Sequence, residues 1–284
     1  MANEVTRNAN ATADELERSM ILEARARVVA LPTCRIDSLE GIPTLVKKYP
    51  KHPSTSDPSA YTEATGMSNT GITPTSVSIT AAGVGLTTDV TDESATGSVL
   101  DVDEAAMNFG RALANKIEAD IVDLYDGFST SVGTSGSDLT VGQYLSALYE
   151  LENANEDNNL VCVLHPIQAH DLRAAIVAAS GAIYGNPGEF SGGLTNAQQQ
   201  ALKGVLFGVP VFTSTNCDSL NTNADRGGGM YSAGRALGFV WKWRPRVEMD
   251  RTIKMPGTSI AVSACYGVAE LVDGAGVSIV TDHE

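Results

Sequence analysis

From Asp101 to Phe128 the apolar side chains fall at Val102, Ala106, Phe109, Leu113, Ile117, Ile121, Leu124 and Phe128. Spacings of three and four keep them on one face of an α-helix. At ~1.5 Å per residue that helix spans roughly 40 Å, about the width of a domain. Asp101, Asp103 and Glu104 fall in its first turn, where the helix dipole favours negative charge. Just upstream, Thr75, Val77 and Ile79 alternate with Ser76, Ser78 and Thr80, the period of a strand. Val84, Leu86, Thr88 and Val90 continue that period with a shift of phase.

Residues 43–60 hold four prolines and five Ser/Thr, so they read as extended and exposed rather than as core. Together 43–90 predict a long two-stranded excursion. An isolated hairpin is marginal in water, so it needs a surface to lie on. Before it, residues 12–30 predict a short helix, with Thr12 as N-cap and Glu15 completing a capping box. Pro32 ends that helix near Leu31.

From Leu139 onward, helical and strand patterns alternate. A helix over 139–155 has Thr140 as N-cap. A buried strand over 159–166 stops at Pro166, a helix covers 168–179, and a β-run follows the turn in 204–216. Residues 180–200 read as irregular. Residues 235–284 are strand-rich, with turns expected at Pro245, Pro256–Gly257 and Gly274–Gly276.

Composition narrows the function classes. The net charge of −15 comes entirely from 61–284, which has eleven basic and twenty-six acidic residues; 1–60 has eight of each. An acidic body is a poor phosphate binder, which argues against direct nucleic-acid readout. No apolar run is long enough to span a bilayer, and the polar N-terminus lacks a signal-peptide core, so retention in a cytoplasm is expected. Cys34, Cys162, Cys217 and Cys265 share no CxxC spacing and are expected to be free and buried.

The catalytic constellations are weak. Cys162 and His165 stand three apart on a strand, hence on opposite faces, and no G-x-S-x-G occurs. His165 and His170 do not match H-E-x-x-H. Asp101/Asp103 and Glu118/Asp120 read as helix-terminus and solvated-face charges. Gly227–Gly229 reads as a flexible surface loop, and Trp241 and Trp243 as core residues on one strand face. No catalytic, cofactor or metal residue is assigned.

Five pieces in fixed order carry a resemblance: a neutral N-terminal arm, an extended loop, the long helix, the strand–Pro–helix VCVLHPIQAHDLRAAI (161–176), and GVLFGVPVFTST (204–215), with Gly204, Gly208, Pro210 and Val211. The closing RVEMDR…SIAVSACYGVAEL (246–271) fits as well. Across about 240 residues the chain resembles the major capsid proteins of tailed bacteriophages, the family with the HK97 fold.

The resemblance implies an α+β fold in four parts. These are an N-terminal arm (1–42), an extended loop (43–90), a peripheral domain with the spine helix (91–139 and 245–284), and an axial domain (140–244). It implies self-assembly into pentamers and hexamers enclosing double-stranded DNA without sequence-specific binding, a portal, either a separate scaffolding protein or assembly that needs none, and no membrane. Arg18 and Arg25 in the arm, and Tyr61, Glu63, Ile72, Val77 and Ile79 in the loop, are the expected subunit-contact positions. The Lys–Asn cross-link of some relatives is not expected from Lys47, Lys48 and Lys51, which are ordinary residues for an exposed loop. The alternatives are an encapsulin-type compartment shell, a surface- or carbohydrate-binding module suggested by the Thr/Ser-rich strands, and, last, a hydrolase.

Overall fold

The computed structural model describes residues 28–51, 71, 73–93, 102–178, 202–217, 219–220, 224–252 and 256–282. The long amphipathic pattern forms helix α1, Val102–Val122, continued by a 3-10 turn over Asp123–Gly127. Its apolar stripe buries Leu113, Ile117 and Ile121. The expected arm helix lies outside the described residues except for 28–30, which are irregular and lead into a 3-10 turn over Leu31–Thr33.

Two sheets frame α1. The first has the order β1-β11-β12-β4, with β1 Arg35–Ser38, β4 Ala82–Thr91, β11 Leu237–Thr252 and β12 Gly257–Glu270. The second runs β5-β13-β10-β6-β8-β7, with the short β9 (Ser219–Leu220) beside β10. Its strands are β5 Ser131–Gly133, β6 Leu160–Leu164, β7 Leu202–Leu206, β8 Val209–Thr213, β10 Asp225–Ser232 and β13 Gly276–Asp282. A separate hairpin stem pairs β2 (Val46–Lys51) with β3 (Thr75–Thr80).

The second sheet is covered on both faces, which is why β6 reads as a continuous apolar run rather than an alternating one. Val161 and Val163 point to the core they share with Ile117, Ile121, Phe212 and the first sheet's Phe239 and Val262. Cys162 and Leu164 point the other way, to helices α2 (Val141–Asn153) and α3 (Pro166–Ala178), where they meet Tyr144, Leu151 and Leu172. Helix α2 carries the expected cap: Thr140 Oγ1 accepts from Gln143 N, and Gln143 Oε1 accepts from Thr140 N. Proline at the start of α3 costs nothing there, because that N–H has no intrahelical partner.

Several expectations change. The last part of the predicted excursion, β4, leaves the hairpin and pairs with β12, so the paired stem ends at Thr80. Its phase shift at Ala81 marks the crossing; Ala81 is buried and its N–H donates to Leu45 O. Residues 276–282 do not extend the sheet of the preceding strand β12 but lie between β5 and β10 of the second sheet. Pro245 makes no turn: β11 runs through it, absorbing the missing N–H in register shifts between Trp241 and Arg246. The same irregularity separates the two tryptophans: Trp241 packs on Phe239 and Tyr266, whereas Trp243 lies under the Arg246 guanidinium. All four cysteines are free and buried.

The Gly227–Gly229 triplet is not a loop but the middle of β10, paired throughout with β13 and at Gly229 with β6 as well. Its glycines are set by crowding. A Cβ on Gly228 would meet Gln168 Oε1 at 2.7 Å, and one on Gly229 would meet the Tyr125 ring at 2.8 Å.

Candidate functional site: the hairpin stem and the domain junction

The stem β2–β3 carries Lys47, Lys48 and Lys51 and no acidic residue, on a chain of opposite net charge. Its inner side is fixed to the body. Tyr49 is buried, donates its hydroxyl to Asp37 Oδ2 at 2.6 Å, and lies under the Arg35 guanidinium. Burial, then the Asp37 carboxylate, push the Tyr49 phenol up. Lys242 Nζ donates to the carbonyls of Leu39 and Ile42, holding the turn between β1 and β2. Lys51 lies close enough to pull down the carboxyls of Glu270 and Asp273. Glu270 is nonetheless raised, chiefly by burial and then by Asp273; Asp273 is lowered mainly by the Ser129 hydroxyl and N–H that donate to it.

Ile79 is 1% exposed, in a small cluster with Leu39, Tyr49, Val240 and Leu271. Its side chain therefore has no surface to offer a neighbouring chain; it anchors the stem to its own body. Val77 is half-buried and packs against the same cluster. Arg18, Arg25, Tyr61, Glu63 and Ile72 lie outside the described residues. Sequence reasoning passed over Ile36, Ile42 and Leu45, exposed apolar side chains around the stem's base. They interrupt no periodic pattern, so nothing marked them.

At the far side of the second sheet, the β7–β8 turn is the two-residue Phe207–Gly208, with φ of 52° and 82°. Positive φ at both positions gives the turn whose twist matches its strands, and only the glycine adopts it freely. Phe207 is 52% exposed there, and Leu145 and Tyr149 are exposed one turn apart on α2.

The third feature is a buried polar junction where α1, the second sheet and the arm meet. Glu118, read from sequence as solvated, is 1% exposed. One of its oxygens accepts from Val29 N and Ala30 N, each at 3.0 Å, and the Ser214 side chain also bonds to it. Thr33 Oγ1 donates to Ala30 O at 2.6 Å and bonds to Tyr231 Oη at 2.7 Å, and Tyr231 Oη bonds to Tyr125 Oη at 2.9 Å. Burial raises the Glu118 carboxyl to about 7 against the lowering pull of its donors. The spacing Ala114–Glu118–Val122 places this carboxyl on the apolar stripe and was the available signal. Among the described residues no group of three His, Cys, Asp or Glu could hold a metal ion, and no helix is long and apolar enough to cross a membrane.

A spine helix between two sheets, a two-stranded hairpin stem and a helix-covered sheet define the HK97-like α+β fold. The solved structures that match are mostly phage capsids. They include the capsid of cyanophage P-SCSP1u, with 13% identity and a TM-score of 0.64 over 90% of this chain and 89% of that one. Mycobacterium phage Che8 matches with 19% identity and a TM-score of 0.65 over 89% and 91%. A virus-like particle from Pyrococcus furiosus matches with 10% identity and a TM-score of 0.63 over 94% and 99%. No protein-family model matches the sequence, and no curated protein does.

Proposed function

We propose that this chain is a major capsid protein, the non-enzymatic shell subunit of a tailed-phage head. The observation that supports it most is agreement of fold with capsid subunits over about nine tenths of both chains. On this reading the subunits form pentamers and hexamers around loops of the second sheet, and the extended loop crosses a neighbouring subunit. Exposed Ile36, Ile42, Leu45 and half-buried Val77, with Arg18, Arg25, Tyr61, Glu63 and Ile72, supply contacts. Many weak contacts of this kind sum through multivalency. A separate scaffolding protein and a portal are the expected partners, and packaged DNA is enclosed without sequence-specific binding, as the acidic body suits.

The test is negative-stain electron microscopy of the purified protein, alone and with candidate scaffold. Closed icosahedral particles, or rings of five and six, are expected. Deleting residues 50–75 is expected to leave a folded subunit that closes no shell; intact particles from that deletion would refute the loop's role. A compartment shell of the encapsulin type is the second reading, because likeness of fold at 10–19% identity does not say what a shell encloses. Particles isolated from the native host with an enzyme inside, rather than DNA, would favour it.

A further inference from the structure

The Glu118 carboxyl ties together parts that are distant in sequence: α1, the amides of Val29 and Ala30 where the arm enters the body, and Ser214 just after β8. The groups facing it are Thr33, Cys34 and the 3-10 turn's Tyr125, with Tyr231 from β10. Burial raises Cys34, Tyr125 and Tyr231, so all three stay neutral around neutral pH. Among the described residues no Lys, Arg or His pairs with the carboxyl.

We propose that Glu118 is a proton-controlled latch that fixes residues 29–30 on the spine helix, and that this junction is held most firmly when the side chain is protonated. A buried carboxylate without a counter-cation is costly, because its solvation is lost and only dipoles replace it. When residues 29–30 lift away, water reaches the carboxyl and its affinity for protons falls back toward the ordinary 4.5. The closed junction therefore binds more protons than the open one between 4.5 and about 7. Its advantage is complete below 4.5, falls as pH rises, and levels off above about 7. The open-to-closed ratio rises by about tenfold per pH unit inside that window, and by about 300-fold across it. Acid thus seals residues 29–30 against the spine helix, and neutral pH loosens that contact.

The experiment is amide hydrogen exchange at residues 28–31 of the full chain from pH 5 to 8, as protection relative to the intrinsic rate at each pH. The wild type is expected to lose about tenfold protection per unit up to about 7 and then little more. Glu118→Gln keeps an acceptor for both amides but cannot ionise, so its protection is expected to be independent of pH. Glu118→Ala removes the side chain that accepts from both amides, and low protection is expected at every pH. Flat protection in the wild type, or the same slope in the wild type and E118Q, would overturn the latch. Both readouts are independent of whether the chain forms shells.

Discussion

Replacing Ile79 by Ala tests whether the hairpin stem is anchored by its own body. The substitution removes about three methylene equivalents, worth ~0.8 kcal/mol each in transfer, or ~2.4 kcal/mol. A cavity cost is added, because neighbours relax only in part. Here the walls are stiff: ideal Cβ positions on Gly238 and Gly267 would sit 2.8 and 2.9 Å from Ile79 atoms, so backbone already closes against this side chain. Backbone held in the β11–β12 ladder cannot collapse into the void, which places the cost in the upper half of the ~2–5 kcal/mol range for such truncations. At ~2–4 °C per kcal/mol for a chain this large, scanning calorimetry of unassembled protein is expected to show a drop of about 8–16 °C. Val77→Ala, at a half-buried position, is expected to cost about 1 kcal/mol. A drop below about 3 °C for Ile79→Ala would mean that the stem is not held by its own body.

Three further substitutions probe the framework. Gln168 Nε2 donates to Arg226 O, Ile279 O and Thr281 Oγ1, and its Oε1 accepts from His165 N. Gln168→Leu strands these groups and is expected to cost about 3 kcal/mol or more in urea unfolding. Gly276→Ala would put a Cβ 2.2 Å from the Phe128 ring and cost about 1–3 kcal/mol, with Phe128→Leu restoring much of it in a double-mutant cycle. Thr140→Ala removes the capping box of α2 and is expected to cost about 1 kcal/mol, whereas Thr140→Ser preserves it.

Local elements were legible because local rules govern them. The spine helix followed from its stripe, α2 from Thr140 and Gln143, and β6 and α3 from an apolar run meeting Pro166. Sheet membership was not legible, since pairing partners far apart in sequence leave no local mark. β4 and β13 have ordinary strand patterns, yet each joins a partner that periodicity cannot name. The glycine triplet misled because glycine signals a loop and a crowded strand alike; only Gln168 and Tyr125 pressing on β10 decide between them. Glu118 misled for the reverse reason, as residue type outweighed its place on the helix. In the candidate site, the basic stem was visible, while the inward turn of Ile79 depended on β11 and β12 beneath it.

The place of β13 also sets an order of events during synthesis. The strand fills the gap between β10 and β5, with Val277 and Ile279 buried. Until it emerges, β10 presents one bare edge. Residues 276–282 leave the ribosome roughly 45 residues after β10, a delay of several seconds at ~5–20 residues per second. The nascent chain therefore cannot complete its second sheet, and cannot offer a finished subunit to its neighbours, until translation has carried past these residues.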